Sequence, residues 1–270
     1  PATWDDFMFA ATVIQRNNLQ VYVPHTDITS ATTVNAGVGS LNLFPTLLAQ
    51  KGLSLYNQSL TGTSINNPAA AEVFEFFTDW YNEYGYVKQA DFYIRFRVGT
   101  MPLGIASYPV YLTLSQTAPE IRGRWSIAPI PSFEKGSHIS AGAGSGCGIV
   151  ARSKNKTAAW KFLKWWTSAK TQAAYSGRVE SILGMVGRQS TSTREAFALL
   201  GWSNSDRRLL EEQWSQVKEI PEVPGSYYLS RALDQAFWAV LNGKARPEDA
   251  LRTWGKAADE EIARKIREFS

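Results

Sequence analysis

Apolar positions recur every three to four residues along several stretches of the chain, the repeat of a helix with one face turned inward. Phe7, Ala10, Ala11 and Ile14 form the first such stripe. Thr3 stands at its cap position, and Asp5 and Asp6 fall where the helix dipole favours negative charge. A second helix is predicted over 42–51, stopped by Gly52. A third opens on Asn66-Asn67-Pro68, a capping residue followed by proline at the first helical position. Val73, Phe76, Phe77, Trp80, Tyr81 and Tyr84 give it a wide apolar face, closed by Gly85. A face that wide belongs to a core more often than to a ligand box.

Further along, a helix is predicted over 158–175 with Trp160, Phe162, Leu163, Trp165 and Trp166 on its buried side and Gly177 as its end. Arg178 to Gly184 reads as a loop, in which Glu180 either pairs with Arg178 or is free to accept a ligand hydroxyl. Helices follow over 194–200 and 205–218, and a long one from Pro224-Gly225-Ser226 through Leu241. The last begins at Pro247, turns Leu251, Trp254, Ala258 and Ile262 inward, and ends in the solvated charge run Arg264–Glu268. Strands are expected at 101–106, 125–130 and 148–151. Helices interleaved with short strands predict an α/β fold.

The run 91–111, DFYIRFRVGTMPLGIASYPVY, combines these signals. Its apolar segment ends at Ala106, Ser107 stands as a candidate N-cap, and Tyr108 and Tyr111 follow at helical spacing. The crevice beyond a strand's carboxyl end is where open α/β sheets bind ligands, and two tyrosines there would offer flat apolar faces with hydroxyls attached. Ordinary packing is the competing reading of the same two rings.

With 270 residues, 44% hydrophobic and 19% charged, the chain has the composition of a globular protein of one large or two smaller domains. A net charge of +4 without a clustered basic stretch argues against nucleic acid as a partner. Cys147 is the sole cysteine, so no internal disulfide forms. The glycine-rich run Gly136–Gly148 lacks the Lys-Ser/Thr pair of a phosphate loop and reads better as a hinge. Pro221 and Pro224 mark a second extended connector. His25 and His138 stand far apart, and neither they nor Cys147 make a spaced metal set, so no metal and no cofactor is expected. Gly144-Ser145-Gly146 is not a nucleophile elbow. Glu120, Glu180 and Glu222 are the loop carboxylates that a glycoside hydrolase would need, without any spacing that joins them.

The order of motifs along the chain resembles the extracellular solute-binding proteins of ABC importers, family 1, the maltose-binding-protein type. Phe96, Gly99, Leu103, Ile105 and Tyr108–Tyr111 match the family's strand and turn, with Leu103 where methionine is usual. The motifs APEIRG, AWKFLKWWTS, PGSYY and RKIREF, at Ala118–Gly123, Ala159–Ser168, Pro224–Tyr228 and Arg264–Phe269, carry the likeness from Pro1 to Ser270. The resemblance implies a type II periplasmic-binding-protein-like α/β fold with two lobes, one of them incomplete here. One lobe would take 1–139 with 219–270, and 140–218 would belong to the other. It implies a substrate-capture component that holds a small solute, a sugar or oligosaccharide first among them, in an interlobe cleft and delivers it to membrane permease subunits, with no catalysis. The expected ligand contacts are Phe44, Tyr108, Tyr111, Tyr227, Arg231, Asn42 and Glu180. The chain would be the C-terminal part of a longer extracellular or periplasmic protein, with its export signal and membrane anchor upstream. A glycoside hydrolase, or a glycan- or protein-binding module without transport, is the alternative.

Overall fold

The computed structural model of the chain describes residues 1–23, 43–88, 90–142, 146–191 and 193–269; Asn42 and His25 lie outside them. In chain order the elements are α1 (Trp4–Arg16), β1 (Val21–Tyr22), α2 (Phe44–Gln50), α3 (Pro68–Asn82), α4 (Phe92–Arg97), β2 (Leu103–Gly104) and α5 (Tyr108–Thr117). Then follow β3 (Ser140–Gly142), α6 (Lys156–Trp166), α7 (Ala169–Leu183), α8 (Arg194–Ala198), α9 (Asn204–Ser215), β4 (Val217–Glu219), α10 (Ser226–Leu241) and α11 (Pro247–Phe269). Short 3₁₀ turns occupy Pro119–Ile121 and Met185–Gly187. Two compact units emerge. The first comprises Pro1–Ile105, Pro129–Ala143 and Gln213–Ser270, and the second Ala106–Ala128 and Gly144–Glu212. The sequence-based division, 1–139 with 219–270 against 140–218, differs from this chiefly in where it puts Ala106–Ala128.

The first unit is built on α3, α10 and α11. Phe77, Trp80 and Phe237 are fully enclosed, and burying each such ring contributes roughly 1.5–3 kcal/mol. Phe237 meets Phe77 and Tyr81 at centroid distances of 5.4 and 5.2 Å, and Trp4 of α1 meets Trp80 at 5.0 Å. The Tyr81 hydroxyl, inside this core, donates to the Val23 carbonyl at 2.8 Å. Tyr84, expected on the same face, is 44% exposed because the helix has ended before it. Starts and stops follow the local chemistry. Thr3 Oγ1 accepts from the Asp6 amide at 3.1 Å while Asp6 accepts from the Thr3 amide at 3.1 Å, a reciprocal capping box. Asn67 Oδ1 accepts from the Ala70 amide at 2.9 Å. Before α10, Gly225 takes φ +88°, and a side chain there would press on Ile262 Cα at 3.0 Å.

The strands are short and parallel. Val21 and Tyr22 pair with Leu103 and Gly104, and Ser140–Gly142 with Val217–Glu219. Gly142, inside the predicted hinge, lies in this second ladder, where a Cβ would meet Val217 Cγ1 at 2.7 Å. Of the run expected as a strand at 101–106, only Leu103–Gly104 enters a ladder. The stretches 125–130 and 148–151 are not strands; the first carries Pro129, and no partner edge pairs with either.

The second unit is entirely helical among the described residues. Its long predicted helix is two. Thr167 ends α6, and Ser168 restarts the chain as α7 by accepting from the Thr171 amide at 3.4 Å. Gly177 stays inside α7 rather than ending it, so Arg178–Ser181 is helix, not loop. Trp160, Phe162 and Trp165, expected to be buried, are each 56% exposed.

Candidate ligand-binding site

The second unit gathers a cluster of rings around one arginine. Ser107 occupies the cap position of α5 in extended conformation, although its hydroxyl makes no capping bond, and Pro109 fixes the first turn. That start sets Tyr108 and Tyr111 side by side, centroids 6.3 Å apart. Trp202, in the loop after α8, packs against both, at 6.0 Å from Tyr108 and 6.3 Å from Tyr111, and against Phe197 at 5.3 Å. Trp125 closes on Tyr111 edge-to-face at 6.0 Å. Tyr108, Trp125 and Trp202 remain partly open to solvent, while Tyr111 is 9% exposed.

Arg188 supports this cluster from one side. Its guanidinium lies 4.5 Å from the centre of the Trp202 ring, a cation–π contact. Arg188 Nε donates to Glu180 Oε2 at 2.8 Å, and Nη2 donates to Glu180 Oε1, giving the two-pronged pairing that fits a carboxylate. The Arg188 carbonyl accepts from the Tyr108 hydroxyl at 3.2 Å. Gln116 of α5 ties the segment down by donating to the Leu183 carbonyl at 2.8 Å and accepting from the Val186 amide at 2.7 Å. Gly187 and Gly201 make room: a Cβ would lie 2.9 Å from the Val179 carbonyl oxygen at the first and 3.3 Å from Arg188 Nη2 at the second.

The electrostatics raise Arg188, Tyr108 and Tyr111 alike. The hydrogen bond with Glu180 holds Arg188 above the usual guanidinium value, against the opposing effect of burial. Burial pushes the Tyr108 phenol well up, with Arg188 pulling the other way. Tyr111 is pushed up to about 12, by burial first and then by donating to Asp206 Oδ2 at 3.0 Å. Arg188 Nη1 and Trp202 Nε1 are buried donors that find no acceptor among the described residues. The arrangement offers ring faces and fixed hydrogen-bond donors, not a nucleophile or an acid–base pair.

The sequence-predicted residues divide among three situations. Tyr108, Tyr111 and Glu180 come together in this cluster, but Glu180 is committed to Arg188 rather than to Arg178. Phe44 is 1% exposed, edge-on to Phe74 at 4.9 Å, and presents no face to a solute. Tyr227 and Arg231 project from the first turns of α10 in the first unit, Tyr227 49% exposed and its hydroxyl donating to Glu261. Asn42 is outside the described residues. Of the loop carboxylates, Glu222 accepts from the Ser226 hydroxyl at 2.9 Å. His138 is buried, with Nδ1 2.7 Å from the Ile130 carbonyl oxygen. No group of three or more His, Cys, Asp or Glu side chains suited to a metal ion occurs among the described residues. Trp125, Arg188, Trp202 and Asp206 went unread in the sequence, and only the many tryptophans hinted at them.

One unit of helices with short parallel strands and one whose described residues form helices alone give the chain the periplasmic-binding-protein fold. The chain belongs to the bacterial extracellular solute-binding protein family, which it matches over residues 1–208. Among solved structures it is similar to the sugar-binding protein MalE of Xanthomonas citri, at 18% identity and a TM-score of 0.71, with 100% of this chain and 65% of that one covered. It is also similar to the cyclic α-maltosyl-1,6-maltose binding protein of Arthrobacter globiformis, at 17% identity and a TM-score of 0.70, with 98% and 65% covered. A solute-binding protein of an ABC transporter from Thermotoga lettingae, bound with α-D-tagatose, gives 18% identity, a TM-score of 0.66 and coverage of 97% and 65%. The chain thus spans about two-thirds of the length of these relatives. A search of curated protein sequences finds no significant match.

Proposed function

We propose that the chain is part of the substrate-capture component of an ABC importer, that its solute is a sugar or oligosaccharide, and that it hands this solute to membrane permease subunits. The observation that carries the reading is the cluster of Tyr108, Tyr111, Trp125 and Trp202 held against Arg188. Sugars present apolar C–H faces that stack on rings, and hydroxyl edges that need fixed partners. Tyr108 and Trp202 supply the faces; the Tyr111 hydroxyl and Asp206 supply an edge. Family membership and the sugar-binding proteins among the solved relatives support the same class of ligand. Tyr227 and Arg231 are separate candidate contacts on the first unit, and Asn42 a polar one. The protein works outside the cytoplasmic membrane, anchored through polypeptide beyond residues 1–270, and turns nothing over.

The test is a thermal-shift screen of the polypeptide that contains this chain against maltose, maltooligosaccharides, tagatose and acarbose. A true ligand at a hundredfold excess over its dissociation constant adds about 2.7 kcal/mol to stability, a shift of several degrees. No shift with any sugar contradicts the ligand class. Turnover of aryl glycosides that disappears on replacing Glu120, Glu180 or Glu222 would replace the reading with that of a hydrolase.

A further inference from the structure

Charge is divided unevenly between the two units. The second, Ala106–Ala128 with Gly144–Glu212, carries thirteen lysines and arginines against six carboxylates, in a chain whose net charge is only +4. Seven of those cations lie from Arg152 to Arg178, and no aspartate or glutamate stands anywhere between Glu134 and Glu180. They are two to eight residues apart, so they do not read as a cluster along the sequence, but all seven are exposed. The ion pairs Arg188–Glu180 and Arg207–Glu211 use none of them. A surface of one sign without counter-charges carries a potential that attracts anions. On α6 the cations share a side. At about 100° per residue, Lys156, Lys161 and Lys164 fall within an arc of about 140°, and Trp160 lies inside that arc. Trp160 is 56% exposed, with the Lys164 ammonium 5.9 Å from its ring centre.

We propose that the lysine side of α6, with Arg152 and Lys154 leading into it, docks on the anionic headgroups of a phospholipid membrane. Charge complementarity carries the proposal: the run from Arg152 to Arg178 offers seven unpaired cations and no carboxylate to an anionic surface. Trp160 favours a lipid surface over a soluble polyanion. An indole seats at headgroup level, with its apolar body towards the acyl chains and its N–H towards water. Lysines beside an exposed tryptophan are the makeup of helices that lie on membranes. Docking would hold the second unit at the membrane surface, where permease subunits lie. The proposal rests on the reading that the protein works outside the cytoplasmic membrane, and not on which solute it binds.

The polypeptide that contains this chain, in soluble form, is mixed with vesicles of phosphatidylcholine alone or with about 30% phosphatidylglycerol, at about 100 mM salt. Bound protein is measured by co-sedimentation. Binding to the anionic vesicles alone is expected, weakening as salt rises. K156Q/K161Q/K164Q should weaken it about twentyfold or more, since each lysine near an anionic surface accounts for about fivefold. K156R/K161R/K164R keeps the charge and should stay within about twofold of the parent. So should K244Q/K256Q/R267Q, which removes the same charge from exposed positions of the first unit. Equal binding to both kinds of vesicle, no binding, or equal losses in the two glutamine variants overturns the proposal. Loss of binding on adding inorganic phosphate at constant ionic strength would assign the face to free phosphate, and would also overturn it. Tm is recorded for each variant; if the first glutamine variant melts early, the arginine variant and the phosphatidylcholine arm decide the question. Thermal shifts with sugars should be the same in all the variants, so failure of this proposal leaves the solute reading standing, and the reverse.

Discussion

Arg188 joins several parts of the second unit. It pairs with Glu180, lies against Trp202 and, through its carbonyl, holds the Tyr108 hydroxyl. Its side chain is 6% exposed and that of Glu180 25%, so Arg188→Met leaves a half-buried carboxylate without its partner. A fully buried pair broken this way loses ~3–5 kcal/mol; the greater exposure of Glu180 lowers the expectation to about 2–3 kcal/mol. Urea denaturation of the variant checks it, and a loss below about 0.5 kcal/mol would place the pair among ordinary surface contacts. At the other end of the chain, Glu261 accepts from the Tyr227 hydroxyl and from Arg264. These bonds, Arg264 first, hold Glu261 down at about 2 from an ordinary 4.5. A depressed carboxylate stabilises the fold above its unfolded value, and that contribution is lost as pH falls through the folded one. The stability difference between the protein and Glu261→Gln should therefore be constant above about pH 5.5 and shrink from there towards pH 2. Melting curves at stepped pH measure it; a difference that does not change between pH 5 and pH 2 contradicts the assignment.

Among the elements, those fixed by neighbouring residues were legible and those fixed by distant ones were not. Thr3, Asn67-Pro68 and Pro247 start helices where the sequence says they should, because a cap acts within one turn. Asn67→Ala should accordingly cost about 1 kcal/mol, read from the shift in denaturation midpoint. The break at Thr167–Ser168 was hidden inside an apolar repeat that continues across it, since a serine cap looks like any polar residue until its partner amide is known. Strand pairing was the least visible. Gly104 enters a ladder with Tyr22 from far upstream, and a Cβ there would collide with the Phe92 ring and sit 3.0 Å from Tyr22 Cβ. Tyr22 and Phe92 are stacked at 5.0 Å, so neither ring moves freely. Gly104→Ala should cost about 1–3 kcal/mol by overpacking; a change within about 0.5 kcal/mol would show that the rings yield.

At the scale of the whole molecule, half of the ring cluster was readable. Tyr108 and Tyr111 declare themselves by position after an apolar run, whereas Trp202 and Arg188 arrive from distant sequence and are joined only by folding. The exposed rings of α6 were misjudged for a related reason: an apolar repeat shows that a face can be packed, not that another element reaches it. Solute capture by the ring cluster is the central claim, and titration calorimetry of the polypeptide that contains this chain tests it directly. The sugar found by thermal shift is titrated into the parent, Tyr108→Ala and Trp202→Ala, with Phe44→Leu as the control for packing. The ring cluster predicts at least a tenfold rise in Kd for both alanine variants, equivalent to about 1.4 kcal/mol each, and none for the control. Dissociation constants within twofold of the parent for both alanine variants would show that these rings only pack, and that the solute is held elsewhere.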